Sequence, residues 1–568
     1  MWMLEIPPFV PFFIGALIAA FTRGKLRGVI MMLTPILGAL HLWMVPEGIH
    51  LQFAFLGYEL MPYRVDKLSL MFGYVFHIAA FIAVVYSLHV RDTVQQVAAM
   101  LYAGSGLGAV FAGDLLTLFV FWELLAFTSV FLIWARRTQR AYLVGMRYLI
   151  IQVLSGGILL VGALFYASEN GSLEFGKIGL EGIAGWLIFI AFGIKCAFPI
   201  AHTWLTDAYP EATVTGTVFL SAITTKVAVY ALARAYPGTE LLVYIGVAMA
   251  CFPIFFAVIE NDLRRVLAYS LINQVGFMVV GIGIGTALAI NGAVSHAFND
   301  VIFKGLLFMT MGAVLHMTGR INGSELGGLY KTMPKTTVLC IVGAASISAF
   351  PLFSGFVSKS MVMSAALETG YDWIWLALLF ASAGVFHHAG IKIPYFAFFA
   401  HDSGIRVSDP PTNMLLAMSI AAGLCIAIGI YPAALYSLLP YDTGYNPYDA
   451  THVLAQTQLL FFSALAFVWL NLRGLYPPEL PSTNLDFDWF YRRFFPRVLQ
   501  KLFAFIWNAD RAVRQAFMVR LDLFLDYLSW KNDRLSGLLS RNHPAGSMVM
   551  WVAVILASYL PLSFMACT

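Results

Sequence analysis

The sequence predicts an all-α polytopic membrane protein, and three observations support this. Of its 568 residues, 60% are hydrophobic and only 11% are charged, whereas a soluble domain has about 25% charged residues. Apolar runs longer than about 18 residues, enough to cross a bilayer as helices, recur along the whole chain. Ionisable residues lie inside several of these runs, where lipid penalises them. The first two observations set the fold class, and the third points to function.

Hydropathy predicts about sixteen transmembrane helices. An apolar run indicates that a helix exists better than it indicates where the helix ends. The opening segment Met1–Val10 has neither a basic n-region nor a small-residue cleavage site, so no removable signal peptide is predicted. The predicted spans are 8–22, 28–46, 66–90, 95–113, 114–135, 141–167, 182–208, 213–236, 239–260, 265–285, 288–318, 336–366, 371–399, 412–438, 452–472 and 547–566.

The basic residues of the short loops alternate from one side to the other. Loops after odd-numbered helices hold thirteen Lys or Arg residues, and loops after even-numbered helices hold three. Because cytoplasmic loops are enriched in these residues, the odd loops are predicted to be cytoplasmic and both termini to face outward. The thirteen are Arg23, Lys25, Arg27, Arg91, Arg136, Arg137, Arg140, Arg264, Arg265, Arg320, Lys331, Lys335 and Arg406, and the three are Arg64, Lys67 and Lys177.

The cysteines and glycines do not form the usual cofactor motifs. No two cysteines stand in a C-x-x-C pair, which argues against an iron–sulfur cluster or a structural zinc site. No Walker A or G-x-G-x-x-G loop opens a soluble helix. We therefore predict no cofactor and no metal site. The five cysteines are Cys196, Cys251, Cys340, Cys425 and Cys567.

The region after residue 473 departs from the pattern of spans. Its apolar residues recur at intervals of three and four from Leu499 to Leu528, with charged residues between them. This predicts one amphipathic helix of about 30 residues, roughly 45 Å long, lying along the cytoplasmic surface. A surface helix of a soluble tail is the alternative. The predicted domains are a transmembrane domain (1–475), this lateral helix segment (476–545) and a terminal transmembrane helix (546–568).

Ionisable residues inside six predicted helices are the strongest functional signal. A single buried one can be a structural hydrogen-bond anchor. A set of them usually faces a bundle interior or a hydrated path, and its members pair with each other. The set comprises Glu123, Lys195, Lys226, His296, Asp300, Lys304, Lys359, His387, His388 and Lys392.

Three of these residues share one helical face. His296, Asp300 and Lys304 are spaced by four, so they extend along about three turns. A proton relay needs titratable groups in such a series because each transfer must be short. We expect Asp300 to be ionised and to hold Lys304 protonated, because an opposite charge within ~4–6 Å favours the charged form. The alternative is that Asp300 is a structural hydrogen-bond partner of a neighbouring helix.

Prolines interrupt two of the charged helices. Lys195 lies four residues before Pro199, and Lys359 lies eight residues after Pro351. Proline removes a backbone donor, and broken membrane helices in transporters mark ion or substrate sites. The two breaks lie five helices apart, which indicates two structural repeats. Glu123 lies alone in the fifth span, and its approach to Lys195 would keep that lysine protonated.

Several stretches together resemble one known family. They are LFVFWELLAFTSVFLIW, GIKCAFPIAHTWLTDAYPEATVTGTVFLSAITTK, ENDLRRVLAYSLINQVGF, SELGGLYKTMPKTT and FPLFSGFVSKS. They are similar to the fifth, seventh to eighth, ninth to tenth and twelfth helices of the antiporter-like subunits that respiratory complex I shares with Mrp-type cation/proton antiporters. The resemblance covers roughly residues 60–440 and is closest to the D-type subunit of the Mrp antiporters. It implies two inverted five-helix repeats with two broken helices.

The resemblance also implies roles for the buried residues. By position, Glu123 and Lys195 match the family's glutamate–lysine pair, and Lys226 matches its connecting lysine. The same match makes His296 the first histidine of the eleventh-helix pattern, while Asp300 departs from a second histidine common there. The central and outlet-side lysines correspond to Lys304 and Lys359.

These observations favour an ion-translocating subunit of a multi-subunit cation/proton antiporter in a prokaryotic plasma membrane. Its expected partners are other membrane subunits, the lipid bilayer, protons and a candidate monovalent cation, with no nucleic acid. Three alternatives stay open. One is a proton-pumping subunit of a complex I-like or hydrogenase complex, which would make the chain part of a translocase. The others are an energising subunit for solute uptake, such as inorganic carbon, and a purely structural membrane anchor.

Overall fold

Helices form nearly all the regular structure of the chain, seen in a computed structural model that describes residues 5–481, 484–531 and 545–565. The chain forms two units, Met1–Asp486 and Phe487–Thr568, which are described separately. The helices of the first unit are α1 (Phe9–Phe21), α2 (Gly24–Met44), α3 (Lys67–Ser87), α4 (Thr93–Phe111), α5 (Leu115–Trp134), α6 (Gln139–Asn170), α7 (Gly182–Lys195), α8 (Thr203–Glu211), α9 (Gly216–Ala235), α10 (Glu240–Ile259), α11 (Leu263–Ile284), α12 (Ala287–Thr318), α13 (Pro334–Ile347), α14 (Ser354–Glu368), α15 (Asp372–Val385), α16 (Thr412–Ile430), α17 (Ala433–Tyr436) and α18 (Ala450–Leu472).

The two predicted broken helices are present. The predicted span 182–208 divides into α7 and α8, and the predicted span 336–366 divides into α13 and α14. The first break contains the tetrapeptide Ala-Phe-Pro-Ile at 197–200, and the second contains Ala-Phe-Pro-Leu at 349–352. In each tetrapeptide the first and fourth residues have positive φ. Two nearly identical sequences therefore interrupt two helices in the same way.

Twelve helices of the described residues are long and apolar enough to cross a membrane. Four shorter apolar helices occupy other predicted spans, and these include both half-helices α7 and α13. The all-α polytopic membrane fold is confirmed, while the total of sixteen spans stays a prediction. The thirteenth predicted span is α15, which continues through two π-helical segments, Phe386–Lys392 and Tyr395–Phe399.

A β-hairpin is the one element that the all-α prediction missed in the described region. Strands β1 (Gly48–Phe55) and β2 (Tyr58–Val65) pair antiparallel. Leu56 and Gly57 form the turn, and both have positive φ, as a two-residue hairpin turn of type I′ requires. The hairpin is tied to the helices by the Met61 N–H, which donates to Asp114 Oδ2 (2.7 Å). Residues predicted to form a loop thus form a strand pair.

The core lies around the helices that carry the ionisable residues. Every residue of α9 except Arg234 is buried, and α11 and α12 are buried over most of their length. Helices α1, α2 and α6 instead expose many apolar side chains. A helix that is apolar all round is stable in a bundle interior, so charges on α9 and α12 must find partners inside the protein.

The second unit contains the predicted amphipathic helix. It is α19 (Phe495–Lys531), somewhat longer than expected, and it has no buried residue within this unit. Asp510 and Arg514 form an exposed ion pair along it (2.8 Å). Helix α20 (Ala545–Met565) follows at the position of the predicted terminal span. The helical conformation of both segments agrees with the sequence prediction.

Candidate functional site

The predicted site residues are carried by α5, α7, α9, α12 and α14. Glu123 is half-buried on α5. The other six residues are at most 2% exposed: Lys195, Lys226, His296, Asp300, Lys304 and Lys359. Removing one uncompensated charge from water costs several kcal/mol, so each group needs a partner within the protein. The partners found in the structure define the site.

Lys195 is the last residue of α7, immediately before the first break. Its Nζ donates to the carbonyl oxygen of Trp122 on α5 (2.9 Å) and lies 4.5 Å from the centroid of the Trp122 ring. The indole Nε1 of Trp122 donates to Ser155 Oγ (3.0 Å), whose hydroxyl donates to the Ala191 carbonyl (2.8 Å). Helices α5, α6 and α7 are thus joined around this ammonium group. Trp122 was not singled out from the sequence.

Glu123 neighbours Lys195 without contacting it. Within the described part of the chain, no ion pair joins the two side chains, although each lies in the electrostatic field of the other. The Glu123 carboxylate packs against Gly156 of α6, and a methyl group at that position would overlap it. The two residues of the predicted pair are therefore electrostatic neighbours, and the hydrogen-bond partner of the lysine is the Trp122 carbonyl.

Lys226 and Asp300 form an ion pair at the centre of the unit. The Lys226 Nζ on α9 lies 2.5 Å from Asp300 Oδ2 on α12, and both side chains are fully buried. The same Nζ donates to the Ser221 carbonyl (3.1 Å). Breaking such a pair by removing one partner typically costs about 3–5 kcal/mol because a buried charge is left uncompensated. This pair joins α9 to α12.

Asp300 has an ion-pair partner that the sequence did not indicate. It was expected to favour the charged form of Lys304, and it does act on Lys304 electrostatically, but its direct ion-pair partner is Lys226. The Nζ of Lys304 instead donates to Ser270 Oγ on α11 (2.8 Å). Spacing by four places Asp300 and Lys304 one turn apart on the same helix, and a neighbouring helix can approach the aspartate more closely than its own next turn does. Sequence spacing within one helix does not predict this contact between two helices.

His296 connects α11 and α14. Its Nδ1 lies 3.0 Å from Ser358 Oγ, and its Nε2 lies 3.2 Å from Gln274 Oε1. A neutral imidazole that donates from Nε2 to the amide oxygen of Gln274 accepts from the Ser358 hydroxyl at Nδ1. Ser358 lies on α14 and directly precedes Lys359, so His296 is hydrogen-bonded to the second broken helix beside its lysine. Ser270, Gln274 and Ser358 were missed because serine and glutamine are ordinary residues in membrane helices and carry no charge signal.

Lys359 follows the second break on α14. Its Nζ donates to the carbonyl oxygen of Ile347, the last residue of α13 (2.9 Å), and lies 5.0 Å from the centroid of the Phe277 ring. A helix that ends inside the protein leaves carbonyls without intrahelical partners. The lysine satisfies one of them and places a cation at the negative end of the α13 dipole.

Two arginines counted as loop cations are buried. Arg264 is 1% exposed, and its guanidinium donates to the carbonyls of Tyr209, Pro210 and Ala212, where α8 ends. Arg27 is 6% exposed and donates to the Thr22 carbonyl and to Gln96 Oε1. Both side chains cap a helix end or a loop carbonyl in the protein interior. Neither arginine is therefore a solvated loop cation.

Comparison with known proteins finds similar membrane subunits. Residues 112–387 match the family described as "NADH:quinone oxidoreductase/Mrp antiporter, TM". The chain is 26% identical over 425 residues to hydrogenase-4 component B of Escherichia coli, covering 65% of this chain and 62% of that protein. It is 29% identical over 367 residues to the D-type subunit of the Na(+)/H(+) antiporter of Alkalihalophilus pseudofirmus, covering 60% and 73%. The chain therefore spans less than two thirds of the hydrogenase component.

The fold is shared with a chain of the membrane-bound sulfane sulfur reductase, an archaeal respiratory membrane complex. The TM-score is 0.72 at 21% sequence identity, over 98% of this chain and 100% of that one. The matched residues 112–387 contain all of the predicted site residues, from Glu123 to Lys359. Residues 112–387 therefore match the transmembrane region of the antiporter-like membrane subunits that Mrp antiporters share with NADH:quinone oxidoreductase, and the chain as a whole is similar to such subunits.

Proposed function

We propose that this chain is the proton-conducting membrane subunit of a multi-subunit cation/proton antiporter. The observation that carries the proposal is the series of six buried ionisable residues that begins at the first break with Lys195 and ends at the second break with Lys359. A structural bundle has no need for this series, because each buried ionisable group is costly in a membrane protein. Proton transfer requires such a series.

Each residue takes a definite part in the proposed relay. Lys195 loads a proton, and the position of Glu123 sets how strongly its charged form is favoured. The Lys226–Asp300 pair passes the charge between α9 and α12. Lys304 and His296 carry the proton along α12, and Lys359 releases it at the second break. Ser270, Gln274 and Ser358 hold these groups in place by neutral hydrogen bonds.

The test uses the purified complex in sealed vesicles with a pH-sensitive dye inside. A pulse of a monovalent cation should move protons in the opposite direction when the wild-type chain is present. The variant Lys195→Ala should assemble but not respond. A response by Lys195→Ala equal to that of the wild type would contradict the relay.

A redox-driven complex is the second candidate. The similarity to hydrogenase-4 component B and the fold shared over 98% of the chain with a respiratory complex favour it. Both candidates use the same relay and differ in what drives it. Proton movement that follows an electron donor and ignores the cation pulse would select the redox-driven complex. The fold similarity includes the second unit, which the antiporter assignment alone does not explain.

We propose that α19 lies along the cytoplasmic surface and holds neighbouring subunits. Its residues are solvent-exposed within its own unit, and its apolar residues recur along one face. Truncation after Asp486 removes this unit and leaves the first unit intact. Such a chain should lose its neighbouring subunits on purification. A truncated chain that assembled and transported at the full rate would show the helix to be dispensable.

A further inference from the structure

A short segment after α18 places an acid against a buried lysine outside the relay described above. Glu479 lies in this segment, and its Oε1 is 2.8 Å from the Nζ of Lys392. The lysine side chain is fully buried, and the glutamate side chain is 4% exposed. Both residues belong to the first unit. A buried ion pair of this kind persists only when the surroundings supply further hydrogen bonds.

Those hydrogen bonds come from the end of α10. The Nζ of Lys392 donates to the carbonyls of Ala257 (3.2 Å), Val258 (2.7 Å) and Glu260 (2.7 Å). These carbonyls lack helical partners because α10 ends at Ile259. The cation therefore occupies the negative end of a helix dipole. Lys392 lies on the π-helical continuation of α15, whose wider turn occurs frequently at functional sites.

The same segment lies close to other titratable groups. Asn484 Nδ2 donates to Glu260 Oε2 (3.2 Å), and Glu260 is itself 5% exposed. The Tyr476 ring centroid lies 5.4 Å from that of His387. On a further side Glu479 faces Gly323, which has no side chain. The titratable groups near the ion pair include Glu260, Tyr476, His387 and His388.

His388 is a further titratable group near this cluster. It is fully buried on the same π-helical turn as Lys392. It lies within electrostatic range of both Lys392 and Lys304. Titratable groups are therefore spaced between the end of α10 and the middle of α12. The loop after α10 and the segment after α18 both follow odd-numbered predicted spans, which places this end on the predicted cytoplasmic side.

We propose that Glu260, Glu479, Lys392 and His388 form a second proton-loading branch that delivers protons from the cytoplasmic side to Lys304. The proposal rests on the proposed function. The proton moves from the carboxylic acid of Glu479 to the Lys392 amine, leaving a carboxylate and an ammonium, and each later transfer likewise exchanges one proton between neighbouring groups. The segment containing Glu479 thus acts in transport as well as in connecting the two units.

Glu479 is suited to loading because it can hold a proton. Burial raises the pKa of its carboxyl above the usual value, and neighbouring Glu260 raises it further, while Lys392 opposes the shift. An acid with a raised pKa is protonated up to a higher pH than an exposed glutamate. When it gives up its proton, the carboxylate favours the charged form of Lys392. The glutamine variant lacks both properties.

The test compares Glu479→Gln with Asn484→Ala in the intact complex. Glu479→Gln removes the titratable group, whereas Asn484→Ala loosens the same segment by removing its neutral hydrogen bond to Glu260. We expect Glu479→Gln to lower the transport rate per assembled complex by about tenfold or more, because a positioned proton donor is lost. Its transport-against-pH profile should also lose rate at the alkaline side first, because Lys392 without its carboxylate loads only at lower pH. Glu479→Asp should restore part of the transport rate and part of the alkaline side of the profile. Asn484→Ala should keep the wild-type profile.

A purely structural ion pair predicts a different pattern. Glu479→Gln and Asn484→Ala would then both reduce assembly, and complexes that did assemble would transport with an unshifted pH profile, which overturns the branch. The double variant Lys392→Met with Glu479→Leu removes both charges together, so it tests the branch even if Glu479→Gln fails to fold. We expect it to assemble and to transport slowly, and full transport by it would overturn the branch.

Lys195→Ala separates failure of the branch from failure of the relay. If Lys195→Ala is inactive while Glu479→Gln keeps the wild-type rate and profile, only the branch is wrong. If Lys195→Ala transports normally, the proposed function itself is wrong.

Discussion

The two broken helices have the same backbone conformation at their breaks and differ in the position of their lysine. Both breaks use Ala-Phe-Pro followed by Ile or Leu, and both have positive φ at the first and fourth positions. At the first break Lys195 precedes the tetrapeptide, and its partner is a carbonyl of α5. At the second break Lys359 follows the tetrapeptide, and its partner is a carbonyl of α13, the other half of the same broken helix.

This difference indicates which movements of the protein would change the surroundings of each lysine. Lys195 depends on Trp122 and so on the position of α5, which also carries Glu123. Lys359 depends on the end of α13 and so on the geometry of its own break. A shift of α5 changes the surroundings of the first lysine directly, while the second keeps its partner unless the break itself opens. The first break is therefore the better candidate for a switch, and the second for a release site.

Removing either lysine should give the largest effect. Lys195→Ala and Lys359→Ala should each lower transport by about 10²-fold or more, because each removes a positioned proton-transfer group. The measurement is cation-dependent proton movement in vesicles at equal amounts of assembled complex. Lys331→Ala is the control, since it makes the same change in an exposed pair with Asp402. If only one of the two lysines mattered, the breaks would not be two ends of one relay.

The central ion pair should separate stability from transport. Asp300→Asn leaves Lys226 buried without its carboxylate, which should lower stability by about 3–5 kcal/mol and stop transport. The double variant Lys226→Met with Asp300→Leu should recover most of the stability, because apolar side chains of similar volume replace the pair. It should not recover transport. Thermal unfolding and vesicle transport, measured on the same preparations, separate the effect on stability from the effect on transport. A double variant that transported would exclude the pair from the relay.

Sequence reasoning predicted the fold and the charged side chains better than their contacts. Membrane spans are visible in the sequence because lipid requires long apolar runs, and Lys195 or Asp300 stand out because lipid penalises charge. The ion pair of Asp300 with Lys226 was missed because helix spacing describes one helix, whereas Lys226 approaches from another. The hairpin Gly48–Val65 was missed because a short paired segment between spans reads as a loop in a hydropathy scan. Glu479 was missed because it lies in a proline-rich stretch far from the lysine in sequence.

Glu123 gives a test of the switch at the first break. Glu123→Gln keeps the shape of the side chain and removes its charge, so Lys195 loses the neighbour that favours its protonated form. Transport should fall by about tenfold or more. Near-normal transport by this variant at every pH would contradict control of Lys195 by Glu123.

Gly156 and Gly157 offer a matched pair for the same question. A Cβ at Gly156 would overlap the Glu123 carboxylate, whereas a Cβ at Gly157 meets nothing within 4 Å. Gly156→Ala should therefore displace the carboxylate and reduce transport, by less than Glu123→Gln because the charge is kept. Gly157→Ala should leave transport unchanged and stabilise α6 by up to about 1 kcal/mol. Equal transport by the two alanine variants would mean that the position of the carboxylate does not matter.

The smallest expected effect concerns backbone strain at the fourth position of each break. Ile200 has φ 76° and Leu352 has φ 71°, a region that costs a residue with a side chain about 1–2 kcal/mol. Isoleucine is β-branched and fits this region less well than leucine does. Glycine removes the strain but adds freedom to the unfolded chain, so Ile200→Gly should stabilise the protein by about 0.5–1 kcal/mol. Leu352→Gly should stabilise it less.

The measurement is the thermal unfolding of both variants, with Ile190→Gly as the control. Ile190 lies inside α7 with ordinary helical geometry, and glycine there should destabilise by about 1 kcal/mol. Ile200 and Leu352 are both exposed, so little packing is lost at either site. If Ile200→Gly stabilised the protein without loss of transport, the strain at Ile200 would be a feature of the static shape of the break and would have no part in transport. Stabilisation with slower transport would mean that the first break must bend during turnover, and the same result at Leu352 would remove the distinction between a switching and a releasing break.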